Sequence, residues 1–270
     1  MIPEAGLITS RRNPLVGRLR ALHCSRGRRE AALLLLEGTH LLQEALKLRL
    51  TPAELLHTPS WRDRHRELMR QLPPDLRPVP VSPAVLDAVA TTDHPDGVVF
   101  TLPPPPQAAG AASFVLALDR LQDPGNLGSL MRTARAAGVE ALWMAEGADP
   151  FQPKVLRASS GAALALPLLR MDRSDLLQRL VALAAEGMQL VASVVVSTAA
   201  VDGRRPVPYW EIDWRLPTVL LLGNEGAGLA PELQAMASCL TTIPHNPAVE
   251  SLNVAAAAAP LLLERWRQQH

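Results

Sequence analysis

The apolar positions of this chain change period several times, and each change predicts an element. Leu15, Leu19 and Leu22 recur at helical spacing after Asn13-Pro14, a pair that starts helices, and residues 39–50 repeat the helical pattern. The continuous apolar run at 31–36 predicts a buried strand between them. Beyond a proline-rich stretch the pattern resumes with a strand at 114–118, a helix at 127–137 closed by Gly138, and a strand at 141–144. A helix capped by Ser174 then runs to Glu186 with Gly187 beyond it, followed by strands at 189–196, 219–222 and 239–243 and a last alanine-rich helix. Continuous apolar strands alternating with helices predict an α/β protein with a mostly parallel sheet covered on both faces. Ligands of such sheets sit outside the carboxyl ends of the strands. There is no internal repeat.

The proline-rich stretch sets the domain organisation. Thr101-Leu102-Pro103-Pro104-Pro105-Pro106-Gln107, followed by alanine and glycine, is stiff and then flexible, because consecutive prolines cannot continue a helix or a central strand. It predicts a small α/β domain over residues 1–102, a linker over 103–112 and a larger domain over 113–270.

Composition adds exclusions. A chain of 270 residues, 48% hydrophobic, buries a sizeable core. Cys24 and Cys239 are too few for a disulfide framework and no Cys/His spacing resembles a zinc site, so a reducing cytoplasm and no metal are expected. The longest uncharged apolar stretch, 254–263, is broken by Pro260 and falls short of the ~20 residues that span a bilayer. The start of the chain, with Pro3, Glu4 and early arginines, lacks a signal-peptide apolar region. No membrane association is expected. Net charge is only +1, yet seven arginines and no acid fall between Arg11 and Arg29. That run reads either as a solvated helical face or as phosphate contacts, for which Arg11, Arg12, Arg18, Arg26, Arg28 and Arg29 are the candidates.

Three polar turns follow apolar strands. In Asp123-Pro124-Gly125-Asn126-Leu127-Gly128, Asn126 is placed to cap the following helix, and Arg132 lies about one and a half turns inside it. Arg132 is either a surface arginine or one that turns back to hold a phosphate bidentately. Gly223-Asn224-Glu225-Gly226-Ala227-Gly228 has the wrong spacing for a dinucleotide fingerprint, and Glu225 would repel a phosphate. A cationic or zwitterionic ligand suits it better, unless Glu225 is merely exposed in a glycine-rich connection. In Ile243-Pro244-His245-Asn246-Pro247-Ala248-Val249-Glu250-Ser251-Leu252-Asn253-Val254, Asn253 is a poor helix former set before alanines.

Together the three segments resemble the ordered motifs of the SpoU/TrmH family of RNA ribose methyltransferases, in the SPOUT superfamily, at 123–134, 221–229 and 243–257. The N-terminal segment, with Asn13-Pro14, Arg28-Arg29-Glu30 and Glu37-Gly38, resembles that family's small substrate-binding domain. The resemblance implies a parallel-sheet SPOUT domain with a deep trefoil knot, a homodimer with shared active sites, and S-adenosylmethionine held by the knot loops. It assigns Gly223, Ile243 and Leu252 to the cofactor, and Asn126, Arg132, Glu225, Ser251 and Asn253 to the catalytic and substrate-orienting set. The implied activity is methylation of a ribose 2′-hydroxyl in structured RNA, preferably ribosomal. A transfer RNA methyltransferase and a non-catalytic RNA-binding or ribosome-assembly factor on the same scaffold are the alternatives. A nucleotide-dependent oxidoreductase lacks its glycine fingerprint.

Overall fold

The computed structural model describes residues 6–106, 110–195 and 203–270. Pro3, Glu4, linker residues 107–109 and Val196 lie outside the described residues. The chain divides into two compact units. The described part of Met1–Pro105 together with Asp149–Leu164 forms one, and Pro106–Ala148 with Ala165–His270 forms the other.

The first unit contains α1 (Pro14–Ala21), α2 (Ser25–Ala31), β1 (Leu34–Glu37), α3 (Thr39–Lys47), β2 (Glu54–His57), α4 (Pro59–Arg64), α5 (Arg66–Arg70), β3 (Val79–Pro80), α6 (Pro83–Val89) and β4 (Val98–Leu102). Its sheet has the order β1-β4-β2-β3, with β4 antiparallel to β1 and β2, and β3 parallel to β2. Val16, Leu19 and Leu22 pack with Leu35, Leu56, Val85, Leu86 and Val99 in its core. The strand expected at 31–36 begins only at Leu34, because α2 runs through Ala31 and ends where Ala32 turns left-handed at φ 50°.

That short helix changes the reading of the arginine run. Arg28, 5% exposed, donates from Nη1 to the carbonyls of Leu22 at 2.8 Å and His23 at 2.9 Å. Its Nη2 meets Asp149 Oδ2 at 2.6 Å. Arg28, a candidate phosphate contact in the sequence, is therefore committed to partners within the fold. Asp149 opens the segment that carries α8 (Pro153–Ala158) and α9 (Ala162–Ala165). Arg157 of α8 donates to Glu37 and to Thr91 Oγ1, and the buried Glu37 also accepts from Thr91 N at 2.9 Å.

The second unit holds β5 (Phe114–Asp119), α7 (Pro124–Ala136), β6 (Ala141–Ala145), β7 (Leu168–Met171), α10 (Arg173–Ala185), β8 (Gln189–Ser193), β9 (Val207–Pro208), β10 (Thr218–Leu222), α11 (Pro231–Met236), β11 (Cys239–Thr242) and α12 (Val254–Gln269). Its seven strands are all parallel, in the order β7-β6-β5-β10-β8-β11-β9. After β9 the chain returns to insert β10 between β5 and β8, then β11 between β8 and β9. Every residue of β5, β6 and β10 is buried, which is why these strands read as unbroken apolar runs. Two helix starts differ from expectation. Asp123 caps α7 with Pro124 at its first position, so Asn126 lies inside the helix, and Asp172 rather than Ser174 caps α10.

Candidate active site

The three polar turns leave the carboxyl ends of β5, β10 and β11. After Asp119 the chain turns left-handed at Arg120 (φ 54°), whose carbonyl accepts from Asn224 Nδ2 at 2.8 Å. Asn224 Oδ1 accepts from the amides of Gly226 at 2.9 Å and Ala227 at 3.0 Å, folding its own loop. Gly223 has no room for a side chain, since a Cβ there would lie 2.1 Å from Leu229 N and 2.2 Å from the carbonyl carbon of Gly228.

Glu225 joins the first two turns. Its carboxylate accepts from the backbone amides of Gln122 at 3.0 Å and Asp123 at 2.9 Å, and from Asn126 Nδ2 at 3.3 Å. Partial burial pushes its pKa up, but these N–H donors together with its own amide outweigh that effect and hold it below the ordinary 4.5. The carboxylate expected to face a ligand is thus engaged by main chain. Because the folded pKa is depressed, the stabilisation is complete above about 4.5 and is lost as pH falls through the folded value. Urea midpoints measured from pH 6 to pH 3 should fall, and Glu225→Gln should show a shallower decline.

Asn126 links all three turns. Its Oδ1 accepts from Asn253 Nδ2 at 2.8 Å, while its Nδ2 reaches Glu225. Asn253 caps α12, accepting from Ala255 N at 2.9 Å and Ala256 N at 3.2 Å, which accounts for a poor helix former at that position. The structure therefore brings Asn126, Glu225 and Asn253 into one chain of hydrogen bonds. The Arg132 side chain is exposed and makes no hydrogen bond or ion pair with any described residue. Leu127, Leu130, Met131 and Ala134 take the buried face of α7, leaving Arg132 on its open flank. Ser251 is exposed as well.

The third turn suits an adenosyl ligand. Val249 and Leu252, three positions apart, expose 49% and 40% of their surfaces. Thr242, the last residue of β11, is buried, and its hydroxyl has no hydrogen-bond partner. Ile243 follows it, with its carbonyl 2.7 Å from His245 Nδ1. Exposed apolar side chains beside a few polar groups and loop main chain are the general make-up of a small-molecule site. Sequence reasoning missed Thr242, Asn224 and the buried Asp119, although a lone carboxylate closing the apolar run 114–119 was a visible signal.

Residues 113–263 match the SpoU rRNA Methylase family. The chain belongs to that family. Residues 13–99 match the MRM3-like substrate binding domain. The chain is 41% identical over 272 residues to an uncharacterized tRNA/rRNA methyltransferase of Synechocystis, covering 97% of this chain and 94% of that one. It is 34% identical over 256 residues to the 23S rRNA (guanosine(2553)-2′-O)-methyltransferase RlmP of Bacillus subtilis, covering 94% and 97%. The AdoMet-bound rRNA methyltransferase from Sinorhizobium meliloti superposes with a TM-score of 0.83 at 30% identity, over 99% of this chain and 100% of that one. Membership of the SpoU family makes the chain an RNA methyltransferase, with the α/β parallel-sheet fold that its motifs implied.

In the substrate-binding unit, the remaining candidate arginines differ in availability. Arg18 is forked on Glu54 at 2.6 and 2.8 Å, Arg26 reaches Glu30 at 2.7 Å, and Arg11 Nε donates to Ala84 O at 2.9 Å. The side chains of Arg12 and Arg29 are exposed and make no hydrogen bond or ion pair with a described residue. Arg28→Ala should lower unfolding stability by about 3 kcal/mol in urea titrations, since it strands Asp149 and two carbonyls. Replacing Arg12 and Arg29 together should leave stability within roughly 0.5 kcal/mol. It should instead weaken RNA binding and flatten the slope of log affinity against log salt by about 0.7–0.9 per lost contact.

Proposed function

We propose that this chain moves the methyl group of S-adenosylmethionine to a ribose 2′-hydroxyl of structured ribosomal RNA. The carrying observation is the hydrogen-bonded chain of Glu225, Asn126 and Asn253, one residue from each motif, which ties three strand ends into one site. The cofactor supplies an electrophilic methyl when bound. Gly223, Ile243 and Leu252 hold it, largely through main chain, and the Thr242 hydroxyl is a further partner. Asn126, Glu225 and Asn253 fix the relative positions of the loops, and orientation of this kind can contribute up to about 7–11 kcal/mol to a two-reactant step. Arg132 is open to solvent and free to meet the RNA backbone, and Ser251 lines the same turn as Leu252 and Asn253. The ribosomal preference is supported by the relatives named as rRNA and 23S rRNA methyltransferases. A non-catalytic factor would have no need of this hydrogen-bonded set or of an uncommitted Arg132.

The decisive experiment incubates the full chain with methyl-labelled S-adenosylmethionine and ribosomal RNA from a strain lacking the protein. Label should enter a ribose whose 3′ linkage becomes resistant to alkali. Label in transfer RNA alone, or no label in any RNA, overturns the reading.

Three further parts of the proposal concern assembly, topology and location. The late insertion of β10 and β11 between strands already in place supports the trefoil knot. Ala256 is exposed on α12, where small side chains permit a second copy to approach closely. Light scattering should give a mass near twice 29.1 kDa, and Ala256→Trp should reduce both that mass and turnover. An active monomer would rule the dimer out. No described helix is long and apolar enough to cross a membrane; the cytoplasm as its location follows from the proposed ribosomal RNA substrate. Among the described residues no cluster of His, Cys, Asp or Glu is arranged to hold a metal, and the reaction as proposed uses none.

A further inference from the structure

Asp119 lies at the end of β5 and is 1% exposed. Its Oδ1 accepts from Arg173 Nη2 at 2.6 Å and Nε at 3.2 Å, a forked pair. Its Oδ2 accepts from the backbone amide of Ala230 at 3.3 Å. Arg173, the first residue of α10, also reaches Glu232 Oε1 with Nη1 at 3.2 Å. Ala230 caps α11 and Glu232 sits in its first turn, so both mark the far end of the loop that begins at Gly223. The near end is already held by Asn224 on Arg120 and by Glu225 on Gln122 and Asp123. Residues 119–123 therefore grip the loop at both ends; at the far end the Asp119–Arg173 pair is the charged grip, beside the burial of Leu229 and Ala230 and the bond from Gln234 Nε2 to Leu229 O at 2.6 Å.

We propose that Asp119 and Arg173 are positioning residues that fix the far end of the loop 223–230 and so set the affinity for S-adenosylmethionine. This rests on the function proposed above. Neither side chain needs to touch the cofactor. A buried carboxylate keeps its charge only when paired, and a forked arginine constrains direction as well as distance. With the pair in place, Ala230 N cannot drift from the sheet, and the main chain of the loop keeps one path from Gly223 to α11. Without it, the far end keeps only the apolar burial of Leu229 and Ala230 and the Gln234 bond to Leu229 O, which leave the direction of Ala230 N unset.

Arg173→Met by itself would leave Asp119 charged, buried and partly unpaired, and stability would fall for that reason alone. The informative variant is Asp119→Asn with Arg173→Met, which removes both charges and should recover most of the melting temperature lost in the single variant. If the pair positions the loop, the double variant still binds S-adenosylmethionine roughly 10-fold or more weakly by calorimetry. Its KM for RNA should stay within twofold of the parent's. Arg173→Lys supplies a second reading, since one ammonium retains the charge on Asp119 but cannot fork to it and reach Glu232 together. It should bind the cofactor several-fold more weakly at an unchanged melting temperature. Parental cofactor affinity in whichever of these two variants folds overturns the inference. A parent protein that binds no S-adenosylmethionine overturns the functional reading as well, so the two failures are distinguishable.

Discussion

Arg132→Ala should lose on the order of 10²–10³-fold in kcat, the scale set by removing one donor aimed at developing charge. Affinity for S-adenosylmethionine should stay within about twofold, and RNA should bind slightly less well. Arg132 is the residue in the motif set that combines exposure, positive charge and a side chain with no hydrogen bond or ion pair to a described residue. One role for such a group is to remove the proton from the ribose hydroxyl. Guanidinium groups resist that role, because presenting one neutral at pH 7.4 costs about 7–9 kcal/mol at 1.36 kcal/mol per pH unit. A clamp on the adjacent RNA phosphate that steers the hydroxyl carries no such cost, with the proton leaving after the carbon–oxygen bond begins to form. Lysine cannot reproduce a two-nitrogen clamp, so Arg132→Lys should lose most of the turnover too. The pH–rate profile separates the roles. A clamp gives no titration attributable to the arginine between pH 6 and 9, whereas a log rate rising one unit per pH unit, and lost in Arg132→Ala, identifies a base. Near-normal turnover in Arg132→Ala would overturn both.

Gly223→Ala is expected to damage the loop 223–228, proposed above to hold the cofactor, more than any other single-methyl change in it. The added Cβ would lie 2.1 Å from Leu229 N, 2.2 Å from the carbonyl carbon of Gly228 and 2.4 Å from its oxygen. These are main-chain atoms, which cannot rotate aside as the end of a side chain can, so the loop must open. Opening breaks the paired bonds between Asn224 and Gly228, both 3.0 Å, on which the turn is built. The strain should cost about 1–3 kcal/mol of stability by urea unfolding. Cofactor affinity should fall by roughly 10- to 100-fold, since a shift near 1 Å is enough to lose a hundredfold. Gly226→Ala is the control. A Cβ there meets only Asn224 Oδ1, at 3.6 Å, an ordinary contact, so affinity should stay near the parent's. Equal cofactor affinity for Gly223→Ala and Gly226→Ala would show that the loop's path is not what holds the ligand.

The parallel sheet was legible because its strands are buried along their whole length, so 114–118, 141–144 and 219–222 appear as apolar runs closely matching β5, β6 and β10. The helices beside them were legible from spacing, with errors of two or three residues where two capping residues compete. At α7, Asp123 takes the cap that Asn126 could have taken. That displacement matters chemically. Released from capping, the Asn126 amide spans the distance between Glu225 and Asn253 instead. The helix α2 was not legible, since its seven residues, Ser-Arg-Gly-Arg-Arg-Glu-Ala, present no apolar face and only Gly27 and Arg28 are buried.

By itself the sequence determined where the central strands and the longer helices of the parallel-sheet unit fall, which turns are polar, and which family those turns resemble. These are local properties, written in the period of apolar residues and in motif order. Only the tertiary structure decided which charges remain available. Arg28 and Arg29 are neighbours in one basic run, yet Arg28 is consumed by Asp149, 121 positions away, while Arg29 remains exposed. Glu225 reads as a carboxylate presented to a ligand, yet it is taken up by amides about a hundred residues earlier in the chain. Partners so far apart meet only when the sheet closes in its particular strand order. A side chain's local pattern fixes the face it occupies, and the packing of distant segments fixes what it meets there.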